Sequence, residues 1–199
     1  MWRQRWPSCY EGLQDMAAAF GAIMIFIETQ LKGAFLVEPE RKEDERGFFA
    51  RTWCQQEFEQ HGLNPRLVQC SLSYNAKKGT LRGMHYQVPP HAETKLVRCT
   101  MGAIYDVILD LRPKSGTFKK WIAVELTAQN RKALYVPEGC AHGFQTLTDA
   151  TEVLYQISEF FHPECAQGVR WDDPAFRISW PPGPRIISPK DQKYPDFPV

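Results

Sequence analysis

In the segment Gly79 to Gln87, reading Gly-Thr-Leu-Arg-Gly-Met-His-Tyr-Gln, a guanidinium (Arg82) and an imidazole (His85) lie three residues apart around a glycine. A fixed cation beside a base suits a pocket for an anionic substrate that carries an acidic proton. Taken alone, Arg-Gly-x-His reads first as a tight glycine turn with a satisfied histidine, set inside a strand-like run. Further groups of the same kind follow: Lys95 in Lys-Leu-Val-Arg, His142 in Pro-Glu-Gly-Cys-Ala-His-Gly-Phe (137–144), Tyr155 in Glu-Val-Leu-Tyr, and Lys190 and Asp191 in Ser-Pro-Lys-Asp. Each has an ordinary reading as well: a strand-edge lysine, a half-buried tyrosine, a solvated turn aspartate.

Other chemistries lack their residues. A mononuclear metal centre needs several His or carboxylate ligands, commonly two histidines one residue apart on a strand. Here His85 is followed by Tyr86 and Gln87, and His91 and His142 stand isolated in the sequence, so no metal is expected. No Gly-x-Ser-x-Gly elbow occurs, the cysteines have no recognisable base partner, and the glycines are spread one per turn rather than gathered into a phosphate loop. Catalysis, if present, must come from positioned acids, bases and cations.

The elements that would position them are short strands. Segments 34–37, 47–53, 67–74, 95–100, 103–110, 121–126, 132–136, 142–146 and 152–158 are rich in Val, Ile, Leu or aromatic residues and bounded by Gly, Pro, Asn or Asp. Gly83, Gly102, Gly116, Gly139 and Gly143 are expected where strands turn. A helix is predicted over Gln55 to His61, ended by Gly62 and Pro65. From Phe161 onward, eight prolines exclude central strands and favour an extended wrap over the surface. The pattern predicts an all-β fold, two antiparallel sheets in a jelly roll, with a small-molecule pocket at its mouth.

A chain of 199 residues, 43 % hydrophobic and 13 % aromatic, fits one domain with a sizeable core. A net charge of +1 without any basic block excludes the footprint of phosphate-backbone binding, so nucleic acid is not an expected partner. Six scattered cysteines read as reduced, mostly buried thiols of a cytoplasmic protein. Met1 to Arg5 is basic and Met16 to Ile27 apolar, but Glu11 and Asp15 interrupt a signal-peptide pattern and twelve apolar residues are too few to span a bilayer. Residues 1–23 are read as an N-terminal extension, from an upstream start codon or as a short helix from Glu11 to Ile23, ahead of a single domain over 24–199.

In order and spacing, these motifs together resemble the dTDP-4-dehydrorhamnose 3,5-epimerase family, over roughly residues 24 to 195. The resemblance sharpens the fold to a cupin-type barrel (a double-stranded β-helix) and implies epimerisation of a 4-keto-6-deoxy sugar nucleotide at C3 and C5. No cofactor is implied, because the ketone already acidifies both neighbouring C–H bonds. It implies that His85 removes the proton, Asp191 pairs with that histidine, Lys95 stabilises the enolate oxygen, and Tyr155 returns a proton on the opposite face. Arg46 and Arg82 correspond to arginines on the nucleotide diphosphate, His142 and Lys190 to further substrate contacts, and Gln69 to a residue that helps hold the nucleotide. A homodimer paired through N-terminal strands is implied too. The chain departs from the family pattern at Ala50-Arg51, after Arg-Gly-Phe-Phe, and at Ser71; both bear on base and sugar preference rather than on chemistry. Phe48, Phe49 and Trp53 could stack a base, but core packing is the expectation. A single-centre epimerase on another sugar nucleotide, a sugar-binding cupin without turnover and a metal-dependent cupin oxygenase are the alternatives. The complete set His85, Lys95, Tyr155 and Asp191 argues against a mere binder.

Overall fold

The computed structural model describes residues 23–198; the extension and the helix read from Glu11 lie outside the described residues, Ile23 excepted. Among the described residues, fourteen strands and two short helices follow one another: β1 Met24–Glu28, β2 Phe35–Pro39, β3 Arg41–Asp44, β4 Gly47–Ala50, α1 Gln55–Gln60, β5 Gln69–Asn75, β6 Thr80–Gln87 and β7 Lys95–Met101. Then come β8 Ala103–Asp110, β9 Trp121–Thr127, β10 Ala133–Val136, β11 Cys140–Thr146, β12 Thr151–Ile157, β13 Ala166–Gly168, β14 Ile186–Ile187 and α2 Pro189–Gln192.

The first sheet runs β1-β2-β10-β7-β12-β5 and the second β13-β6-β11-β8-β9, while β3 and β4 form a separate hairpin. Pairing is antiparallel throughout except for β14, which lies parallel to β6. Side-chain alternation along the strands then creates three apolar layers. Between the sheets, Val97, Cys99, Leu134 and Val153 of the first meet Ile104, Ile108, Leu126 and Phe144 of the second. Outside the first sheet, Phe35, Val37, Leu96 and Tyr135 are covered by Phe58 of α1 and by Leu63. Outside the second, Leu81, Met84, Val107 and Leu109 are covered by Val169, Phe176 and Trp180 of the C-terminal tail. The jelly roll, the helix and the wrapping tail are as the sequence predicts. Phe144, fully buried between the sheets, illustrates the energetics: truncation to Ala there would cost about 3–5 kcal/mol.

Two expectations are corrected. Gly83 and Gly143 are not turn residues: they lie inside β6 and β11, where the backbones approach so closely that a Cβ on Gly83 would stand 2.5 Å from the Cα of Gly143. The tail adds no central strand, as expected, contributing only β13 and β14 beside β6 and the short helix α2. Phe48 and Phe49 are not core residues but 43 % and 62 % exposed on β4, and only Trp53 packs, in part, against the helix-side cluster. A hairpin of four-residue strands has no second layer to bury both its faces.

Candidate active site

A cavity of about 700 Å³ opens between the sheets, a volume typical of small-molecule sites. His85, Lys95, Tyr155, Asp191, Gln69, Arg82, His142 and Lys190 all line it; Arg46 does not. Arg46 sits at the exposed β3–β4 turn, where it grips Asp44 through its Nη2 at 2.5 Å.

The placement of Arg82 and His85 needs a device, because strand periodicity puts residues three apart on opposite faces. Across β11, His142 faces His85 while Phe144 faces Arg82, so three steps on β6 oppose two on β11. This bulge turns both side chains into the same cavity. It explains why the glycines are there: Gly83 has φ +130°, and no side chain fits between the two backbones.

His85 Nε2 lies 2.7 Å from Asp191 Oδ1, and the Gly83 N–H donates to Asp191 Oδ2 at 3.4 Å. Burial favours the neutral acid of Asp191, but the hydrogen bonds from His85 and Gly83 outweigh it and hold the carboxyl below its ordinary value. The aspartate is delivered by α2, which starts with Pro189 at its first position and Ser188 as its cap, the Ser188 hydroxyl accepting from Asp191 N at 3.1 Å. An imidazole so held is fixed in tautomer and orientation.

The facing wall is the first sheet. Lys95, at the start of β7, donates from Nζ to the carbonyl oxygen of His85 at 3.3 Å and pairs with Glu93 Oε1 at 3.0 Å. Both side chains are only 10 % exposed, so the lysine has its counter-ion beside it in a nearly dry place. Tyr155, on β12, meets His142 edge to face at 5.9 Å. Burial pushes its phenol well above the ordinary value and the Asp106 carboxylate adds to this, while Arg82 opposes them. The phenol therefore stays protonated, a proton donor facing a base. His142 Nε2 is itself held by Asp106 Oδ1 at 2.8 Å, and both residues are buried. Arg82 donates from Nε to Asn75 Oδ1 at 2.8 Å.

Four contributors escaped the sequence reading. Glu93 and Asp106 are the carboxylates that compensate Lys95 and hold His142, and Asn75 anchors Arg82. The signal for Asp106 was a lone acid inside the apolar run Ala-Ile-Tyr-Asp-Val-Ile-Leu (103–109), a place where only a partnered charge survives. The fourth is Tyr194, which lines the cavity and meets His85 edge to face at 6.2 Å. It lies flat over Gly168, where a Cβ would come within 2.2 Å of the ring. His91 is also not isolated: its ring stacks on His162 at 3.4 Å, outside the cavity lining. Sequence spacing hid this, because the two histidines come from different loops.

A jelly-roll barrel that sets an imidazole of one sheet, backed by a carboxylate from the tail helix, against a buried ammonium and a phenol on the other sheet belongs to the class of acid–base isomerases built on cupin-type barrels. Residues 28–198 match the family model for dTDP-4-dehydrorhamnose 3,5-epimerase, and the chain belongs to that family. The enzyme of that name from Shigella flexneri is 41 % identical over 87 % of this chain and 97 % of its own, and that from Methanothermobacter thermautotrophicus 43 % over 85 % and 92 %. The crystal structure of the dTDP-4-dehydrorhamnose 3,5-epimerase from Bacillus anthracis, with TDP and PPi bound, superposes with a TM-score of 0.84 at 43 % identity, covering 88 % of this chain and all of that one.

Proposed function

We propose that the protein epimerises a nucleoside-diphosphate 4-keto-6-deoxyhexose at C3 and C5 without a cofactor, converting dTDP-4-dehydro-6-deoxy-D-glucose to dTDP-4-dehydro-L-rhamnose. The observation that carries this reading is the division of the cavity: the base on the second sheet, backed by the carboxylate of α2, and the ammonium and phenol on the first sheet. Inversion needs a proton taken from one face of the ring and returned to the other, and a cavity with unlike walls supplies that. His85, oriented by Asp191, takes the proton from C3 or C5. The electrons move into the C4 carbonyl, and Lys95 stabilises the enolate oxygen, a group of the kind whose loss costs about 3–4 kcal/mol. Tyr155 returns a proton from the opposite wall. Arg82, with Lys190, His142 and Gln69, holds the diphosphate, sugar and base.

The deciding experiment is incubation with dTDP-4-keto-6-deoxyglucose in deuterium oxide. Deuterium at both C3 and C5, with the L-configured product, is the expected result; no incorporation at either carbon overturns the reading. Deuterium at one carbon only would establish a single-centre epimerase.

We place the working unit as a homodimer joined through its N-terminal strands. β1 is an edge of its sheet and carries Ile25 and Ile27 at 47 % and 43 % exposure, an apolar edge that pairing would cover. Arg46, remote from its own chain's cavity, then meets the nucleotide held by the partner. Light scattering should give twice the chain mass, and Arg46→Ala should raise KM more than it lowers kcat. Deletion of residues 1–23 should leave both dimer and activity intact. The setting is the cytoplasm: Cys54, Cys70, Cys99, Cys140 and Cys165 are free thiols, and no described helix is long and apolar enough to cross a membrane.

A further inference from the structure

We infer that His91, His162 and Glu164 form a binding site for one divalent transition-metal ion of the zinc type, on the rim beside the catalytic cavity and separate from its chemistry. The potential ligand atoms of the three side chains all lie within 4.8 Å of one another. The imidazoles are nearly parallel, 7° apart with centroids at 3.4 Å, and His162 Nδ1 is 3.0 Å from Glu164 Oε1. Two ligands each about 2.1 Å from a common ion in tetrahedral array stand roughly 3.4 Å apart, so the His162 Nδ1–Glu164 Oε1 spacing already suits first-sphere neighbours, while the stacked rings must turn about their side-chain torsions to aim their in-plane lone pairs at one ion. Two imidazoles and a carboxylate favour Zn²⁺, Co²⁺, Ni²⁺ or Cu²⁺ over Mg²⁺ or Ca²⁺, with water completing the sphere. Glu164 is exposed and both histidines partly so, which leaves a path for the ion.

The place gives the site a consequence. His91 lies on the connection from β6 to β7, and His162 and Glu164 on that from β12 to β13; these strands carry His85, Lys95 and Tyr155. The buried Gln87 amide already links the two connections, donating to the carbonyls of His91 and Phe160 and accepting from the His162 N–H at 2.7 Å. An ion held by all three ligands clamps the same two segments from outside. None of the ligands lines the cavity, so removing the ion leaves the acid–base groups in place.

The test is titration of the full chain, stripped with chelator, with ZnCl₂ followed by calorimetry, alongside CoCl₂ followed by visible absorption. We expect one saturable ion per chain, a thermal midpoint that rises with ZnCl₂ but not with MgCl₂, and cobalt bands in the visible. His91→Ala and His162→Ala should each weaken zinc binding at least tenfold, and Glu164→Gln, an exposed and conservative change that spares the fold, should weaken it several-fold. Cys70→Ser should leave it unchanged. Absence of saturable binding, affinity unaltered in the His91→Ala/His162→Ala double variant, or loss of binding in Cys70→Ser would each overturn the proposal.

Discussion

Asp191 meets His85 at 2.7 Å although 106 residues separate them in the chain. The pair joins the second sheet to a short helix at the end of the tail, so the base is oriented by a segment that takes no part in the barrel's hydrogen-bonded walls. His85→Asn should abolish solvent exchange at both C3 and C5, a loss of about 10²–10⁴-fold or more, because each enolisation begins with the same base. Asp191→Asn should retain weak activity, with the imidazole present but poorly oriented. Normal wash-in of deuterium in the His85 variant would remove the base assignment.

Tyr155→Phe deletes the acid and keeps the ring. Deprotonation should survive better than inversion, so exchange with retained configuration should exceed epimerised product when both are followed by NMR. Because burial and Asp106 hold the phenol above its ordinary value, no alkaline loss of activity below about pH 10 should trace to Tyr155. Equal loss of exchange and inversion in the Phe variant would make Tyr155 a positioning group.

Gly168→Ala tests the seat of Tyr194. The added Cβ would stand 2.2 Å from the ring and must push it off Gly168 and away from His85. A fall in kcat of roughly tenfold or more is expected, with the barrel still folded by circular dichroism, since small displacements of positioning groups are costly. Tyr194→Phe keeps the ring contact and should be nearly neutral; a wild-type rate for Gly168→Ala would show that Tyr194 has no bearing on His85.

Asp110 tests stability. Its carboxylate is buried and accepts from Arg112, Ser115 and Thr117. Burial raises its pKa, but these donors together drive it below the ordinary value. The folded value is thus lower than the unfolded one, about 3.9, so the stabilisation is full above that pH and is lost as pH falls towards the folded value. Asp110→Asn should cost about 2–4 kcal/mol at pH 7 and flatten the acid limb of a denaturation series. An unchanged acid limb would count against this network.

Exhaustive chelation should leave turnover unchanged, measured on product formation. In the proposed mechanism the quartet His85, Lys95, Tyr155 and Asp191 moves each proton without an ion. A transition metal whose removal stops turnover would change the reaction class.

His85, Lys95 and Tyr155 stood out in the sequence as polar residues in short motifs on strands, but their roles came from the family resemblance. Asp191 became legible only through the family resemblance, since nothing local distinguishes it from a solvated turn residue. The bulge that lets Arg82 and His85 share a face was misread as a turn: both demand glycine, and only the facing backbone of Gly143 tells them apart. Glu93, Asp106 and Asn75 were missed because their roles are defined by partners brought from other strands. Phe48 and Phe49 were expected to pack in the core because they look apolar in sequence, whereas they sit on the exposed hairpin of β3 and β4, with Arg41 and Arg131 over the Phe48 ring.

The late position of Asp191 bears on how activity is acquired during synthesis. A ribosome delivers the chain from the N-terminus, so strands β1 to β12 can close their sheets before the segment that carries α2 has emerged. The nascent barrel would hold His85, Lys95 and Tyr155 without the carboxylate that orients the base. Enzymatic competence should therefore switch on as one of the last events of maturation, and a protease that nicked the tail ahead of Ser188 would silence turnover while leaving a folded barrel behind.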